Sequence, residues 1–138
     1  IQRYDRIDFT DLLLDDNRYI IQEFIKEVSQ GDKRIIILNG EPLGAILRIA
    51  KEGSFICNFH SGGTPRATTI SEQDAYICRT IKDFLVDNEI FFAGIDIIGG
   101  KLTEINITSP TCVQEINFAN GVKLEENVLD FILNKINW

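Results

Sequence analysis

Residues 94–112 read GIDIIGGKLTEINITSPTC, and the way this stretch turns back on itself governs the reading of the whole chain. Two runs rich in branched apolar residues, 90–98 and 102–107, flank Gly99-Gly100, the pattern of two strands joined by a tight connection. Asp96 stands inside the first run, where a charge needs a partner. In the second run Glu104 and Asn106 are two residues apart and share one side of a strand. Directly opposite residues of an antiparallel pair face the same way. A plain two-residue turn would pair Ile98 with Lys101 and leave Asp96 opposite Thr103, away from Glu104. A three-residue connection or a bulge brings the two acids to one face, and the glycines supply the positive φ that either needs. Two carboxylates and an amide oxygen there repel unless a cation sits among them, and all-oxygen donors suit Mg²⁺. The alternative is an ordinary hairpin whose acids each lie on a solvated face.

Working upstream, 33–38 and 43–50 are β-rich runs around Asn39-Gly40-Glu41-Pro42, and Asn-Gly is the strongest short hairpin signal. Each run carries an arginine among apolar neighbours, Arg34 and Arg48, suited to grip phosphate or carboxylate or, equally, to lie on a half-exposed surface. Residues 18–25 (RYIIQEFI) read as a further strand, and the acidic, Leu-rich 8–16 as a helical turn or two. Residues 51–69 break the pattern with three glycines, a proline and many hydroxyls, predicting a long loop. The Ser61-Gly62-Gly63-Thr64 turn within it offers backbone amides to an anion, or is simply a surface turn. Ser71 opens a helix, with Asp74 as a shortened capping box, and Ile77, Cys78, Ile81, Phe84 and Leu85 form its core face. After Ser109-Pro110, residues 113–119 and 124–136 read as helices separated by a stop at Gly121. The order predicts an α+β fold, a mostly antiparallel sheet with helices packed on it.

Composition bounds the function. With 138 residues, 44% of them apolar, one domain with a real core is expected. Fourteen basic against 21 acidic side chains give a net charge of −7, and no Lys/Arg run alternates with aromatics, which argues against nucleic acid. No run approaches the roughly 20 apolar residues of a membrane span, and no leader is visible. Three scattered cysteines without a C-x-x-C pair fit a reducing, cytoplasmic setting, and with one histidine they leave only a hard cation as a metal. The chain opens at Ile1 and contains no methionine, so it is expected to be the later part of a longer protein.

The run from Gly94 to Cys112 strongly resembles the C-terminal signature of the prokaryotic glutathione synthetases, which are ATP-grasp ligases. Gln22-Glu23-Phe24-Ile25 resembles that family's adenine hinge, Gly31-Asp32-Lys33-Arg34 the strand after it, Gly40-Glu41-Pro42 its hairpin and Arg48-Ile49 its next arginine. The resemblance implies the C-terminal portion of an ATP-grasp domain, with the first half and a substrate domain lying upstream. It implies an enzyme that joins γ-glutamylcysteine to glycine through an acyl phosphate, inactive as this portion alone and a homo-oligomer at full length, acting on small molecules and on neither membrane nor nucleic acid. Asp96, Glu104 and Asn106 would then hold Mg²⁺ or Mn²⁺. Gln22, Glu23, Phe24, Ile25, Asp32 and Arg34 would bind ATP, and Arg34 and Arg48 would serve catalysis by holding phosphate charge. Asn58, Gly62, Gly63, Ser109 and Thr111 would meet the peptide substrate. Asp96→Asn is expected to abolish turnover and leave folding largely unaffected. The family usually carries arginines where this chain has Ile56 and Thr64, which leaves open a related ligase with another acceptor, or a non-catalytic binding fragment.

Overall fold

The computed structural model describes Arg3 and residues 18–136; the helical turn expected over 8–16 lies outside the described residues. Five strands, β1 (Asp32–Leu38), β2 (Glu41–Ile49), β3 (Thr64–Ala67), β4 (Phe92–Ile98) and β5 (Lys101–Asn106), form one sheet in the order β3-β2-β1-β4-β5. Every neighbouring pair is antiparallel. Three helices pack on it: α1 (Glu72–Asp87), α2 (Val113–Asn120) and α3 (Leu124–Lys135). The α+β expectation holds.

Both hairpins turn on two residues, Asn39-Gly40 and Gly99-Gly100, all four at positive φ, as tight hairpin turns require. Each hairpin also contains a bulge. In the first, Ile36 pairs with Gly44 and Ile37 with Pro42, so Leu43 is the extra residue. Pro42, which lacks an N–H, sits where the ladder is interrupted anyway.

Alternation sorts the side chains into two layers. Ile35, Ile37, Ala45, Ala93, Ile95 and Ile97 meet Ile77, Cys78 and Leu85 of α1 on one face. Burying each isoleucine or leucine side chain here stabilises the fold by about 1.5–3 kcal/mol. Helix α1 starts as the sequence predicts: the Ser71 hydroxyl accepts from the Asp74 amide at 3.2 Å and the Asp74 carboxylate accepts from the Ser71 amide at 2.8 Å. On the other face Ile36 and Ile46 meet Cys112, Ile116 of α2 and Leu124 of α3, but only over the half of the sheet nearest the Asn39-Gly40 turn. The remainder of that face carries charge.

Two expectations are corrected. Residues 18–25 form no strand; they run extended into a 3-10 turn, Lys26–Gln30, and Tyr19, Ile20 and Ile21 are exposed. A branched apolar run has strand composition but needs an edge to pair with, and β2 and β4 already occupy both sides of β1. The 51–69 loop is not irregular throughout: it holds a 3-10 turn, Phe59–Ser61, and the edge strand β3, in which Thr64 pairs with Ile49 and Pro65 with Arg48. Proline in a four-residue strand hides the β signal, and an edge strand tolerates it.

Candidate nucleotide and metal site

The second bulge decides the site. Ile98 pairs with Lys101 and Ile97 with Leu102 through the two-residue turn, but Asp96 then pairs with Glu104, Thr103 being the extra residue. Asp96 and Glu104 therefore share a face, and Asn106, opposite Gly94, shares it too. The Thr103 hydroxyl donates to the Asp96 carbonyl at 3.1 Å and pins the irregularity. The same face of the neighbouring strands brings Asp32, Arg34 and Arg48, because Asp32 pairs with Arg48 and Arg34 with Asp96.

Four of these groups form one buried ionic cluster. Arg34 grips Asp96 with a fork, Nε to Oδ1 at 2.5 Å and Nη2 to Oδ2 at 2.9 Å. Arg48 Nη2 lies 2.8 Å from Asp96 Oδ2 and 2.5 Å from Asp32 Oδ2. Arg34, Arg48 and Asp96 are 4%, 4% and 5% exposed, so neither arginine is the surface residue that strand position alone allows. Burial pushes the Asp96 carboxyl up, but the Arg34 hydrogen bonds and the two guanidinium charges outweigh it and hold the group below the usual aspartate range. Asp32 goes the other way: burial, aided by the nearby Asp96 charge, raises it to about 6 in spite of Arg48. Burial opposes the charge on both arginines, yet their carboxylate partners leave them more basic than a free guanidinium. The expectation that Asp96→Asn spares the fold is therefore corrected, since this carboxylate balances two buried cations.

Gly94 leaves room for the Arg34 side chain: a Cβ there would lie 3.2 Å from Arg34 Cδ and 3.0 Å from Pro110 Cβ. The loop after β5 closes over the same arginine, the Thr111 carbonyl accepting from Arg34 Nη1 at 3.5 Å. Cys112 follows at φ 93°, a costly conformation for a non-glycine residue, and its buried side chain packs with Ile36, Ile46 and Ile116. Ser109 is exposed and its amide donates to Asn106 Oδ1 at 3.4 Å, which orients that oxygen. Glu104 is exposed.

The other expected contacts lie apart from this cluster. Gln22 and Glu23 are exposed, Phe24 and Ile25 half-buried, and Phe24 stacks edge-on against Phe55 with ring centres 5.6 Å apart. Asn58 caps the Phe59–Ser61 turn, its Oδ1 accepting from the Ser61 amide at 3.1 Å. The amides of Ser61, Gly62 and Gly63 donate to carbonyls of Asn58 and Phe59, so the turn spends on itself the donors that an anion would use. A Cβ on Gly63 would come 2.0 Å from the Cys57 carbonyl oxygen, which explains the glycine as a packing need. A cavity of about 350 Å³ between Lys33, Ser71, Asp74 and the Gly99-Gly100 turn lies on the α1 face, across the sheet from the cluster.

Among the described residues, no three His, Cys, Asp or Glu side chains come together as a metal cage, so a cation here would rely on two carboxylates and the Asn106 amide oxygen. That donor set is oxygen-only and fits Mg²⁺ or Mn²⁺, which keep waters and take further oxygens from phosphate.

Residues 9–121 match the model of the prokaryotic glutathione synthetase ATP-grasp domain. The chain belongs to that family. Over 114 residues this ATP-grasp chain is 45% identical to a glutathione synthetase of Gloeobacter violaceus, an overlap of 83% of the chain and 35% of the relative. It is 44% identical to the glutathione synthetase of Thermosynechococcus vestitus, over 83% of the chain and 36% of that protein. It is 41% identical to the one of Agrobacterium fabrum, over 85% and 37%. The ATP-grasp chain thus spans about a third of the length of the curated relatives it matches. Among the described residues, no helix is long and apolar enough to cross a membrane.

Proposed function

We propose that this chain is the C-terminal catalytic portion of a glutathione synthetase, in which ATP phosphorylates the γ-glutamylcysteine carboxylate and glycine attacks the acyl phosphate. The observation that carries this reading is the bulge at Thr103, which sets Asp96 opposite Glu104 beside two arginines. Asp96, Glu104 and Asn106 hold the divalent cation. Bound there, Mg²⁺ or Mn²⁺ would neutralise and orient the ATP phosphates, which is most of what phosphoryl transfer needs. Arg34 and Arg48 carry fixed positive charge where negative charge develops on the transferred phosphoryl group and the acyl phosphate. Asp32 and the extended 22–25 segment hold the nucleoside, the segment through its backbone. The loop of Asn58, Gly62 and Gly63, together with Ser109 and Thr111, meets the peptide and excludes water. The full-length protein is a cytoplasmic homo-oligomer, and the present chain alone does not turn over.

The test is a chimera in which this chain replaces its counterpart in the Gloeobacter violaceus synthetase. ADP release that depends on both γ-glutamylcysteine and glycine is expected. A folded chimera that binds ATP but releases no ADP with any peptide would overturn the reading. A related ligase with another acceptor is favoured by Ile56 and Thr64, two positions of the peptide loop that carry no charge. ADP release with a different peptide only would establish it.

A further inference from the structure

The ionic cluster is asymmetric. Arg34 is fixed by its two-point fork on Asp96 and by its contact with the Thr111 carbonyl. Arg48 meets Asp96 through one nitrogen, and the same nitrogen lies against Asp32. Arg48 Nε and Asp32 Oδ1 are buried and have no hydrogen-bond partner among the described residues. Buried polar groups left unpaired call for an explanation, and a second arrangement of the Arg48 guanidinium is one. The four charges sum to zero as they stand: Asp32 and Asp96 against Arg34 and Arg48.

A divalent cation on Asp96 disturbs this balance. Asp96 Oδ2 already accepts from Arg34 and faces Arg48, and two positive charges arriving there meet two guanidiniums at close range in a poorly solvated site. Of the two, Arg48 can leave Asp96 without losing its counter-ion, because Asp32 keeps hold of it. We propose that Arg48 is a placeholder cation on Asp96, and that metal binding hands it over to Asp32, the positioning residue that keeps Arg48 in the site. The inference rests on the metal reading of Asp96, Glu104 and Asn106. It makes the free site self-neutralised, so that the carboxylate pair need not recruit an adventitious cation. It also makes divalent metal and any phosphate that draws Arg48 aside bind cooperatively, each raising the affinity of the other by the same factor.

The experiment titrates Mn²⁺ alone into the full chain and counts free Mn²⁺ by electron paramagnetic resonance, with circular dichroism recorded for every variant. Arg48→Met is expected to bind Mn²⁺ on the order of tenfold tighter than the wild type, having lost the competitor but kept its apolar bulk. Asp32→Asn is expected to bind several-fold weaker, because Arg48 then rests on Asp96 alone. Lys101→Met, which removes an exposed charge on the same hairpin, should change affinity by less than about twofold. A merely structural Arg48 would weaken binding when removed, so a folded Arg48→Met that binds no tighter overturns the inference. Should Arg48→Met misfold, the neutral pair Asp32→Asn/Arg48→Met removes both partners together and must also bind tighter than the wild type; failure again overturns it. Affinity that falls in Glu104→Gln, at an exposed position, but is unmoved by Arg48 changes sinks the placeholder and spares the metal site. No Mn²⁺ binding by any of these proteins sinks both.

Discussion

Asp96 has two guanidiniums competing for its two oxygens, and its substitutions should separate electrostatics from chemistry. Asp96→Ala strands two buried guanidiniums and is expected to cost about 3–5 kcal/mol in urea denaturation, a loss typical of a broken buried pair. Asp32 gives the opposite sign. Its carboxyl titrates at about 6 in the fold and near 3.8 when free, so the native state binds its proton more tightly than the unfolded chain does. That contribution is fully present below the unfolded value and is lost as pH rises through about 6. Relative to Asp32→Asn, the wild type should therefore lose stability between about pH 4 and pH 6; a constant gap in denaturation midpoints across that range would contradict the raised value. The sequence showed that Asp96 needed a partner and that a three-residue connection or a bulge was required for Glu104 to join it. It could not show that the partner is Arg34, 62 positions away, since no turn sets the register between β1 and β4.

Elements were legible where local chemistry specifies them. Asn39-Gly40, Gly99-Gly100 and the Ser71 cap each fix a backbone geometry through their own residues, and each folds as read. Residues 18–25 and strand β3 were misread because pairing, rather than composition, decides them. At this scale Ser71→Ala should cost about 1 kcal/mol by the loss of a helix cap. The cost should sit at the high end, because the Ser71 hydroxyl also donates to Asp74 at 2.7 Å, and Asp74 holds Lys33 of β1 at 2.5 Å. Burial raises the Asp74 carboxyl, but Lys33 and Ser71 outweigh it and keep it below the ordinary value. The stabilisation it brings is present above the unfolded value and fades as pH falls below it, so the Ser71→Ala penalty should shrink in acid, measured by thermal melting at pH 7 and pH 3.

For the molecule as a whole, burial of all three thiols offers a direct gauge of integrity. Cys57, Cys78 and Cys112 are 4%, 1% and 4% exposed, and burial pushes each thiol above its ordinary value. An aromatic disulfide reagent should label none of them promptly at neutral pH and all three in denaturant; rapid labelling of one thiol in buffer would show the core to be open there. The site spans both hairpins: Asp32, Arg34 and Arg48 come from the first, Asp96, Glu104 and Asn106 from the second, and only the β1–β4 seam unites them. Either ribbon formed alone carries a surplus of one sign along its inner edge. A mismatched seam, slipped by one position, would swing Arg34 into the oily layer under α1 and abandon Asp96 without a counter-charge. The buried charge cluster thus doubles as a proofreader of assembly, admitting a single alignment of two ribbons whose own turns know nothing of each other.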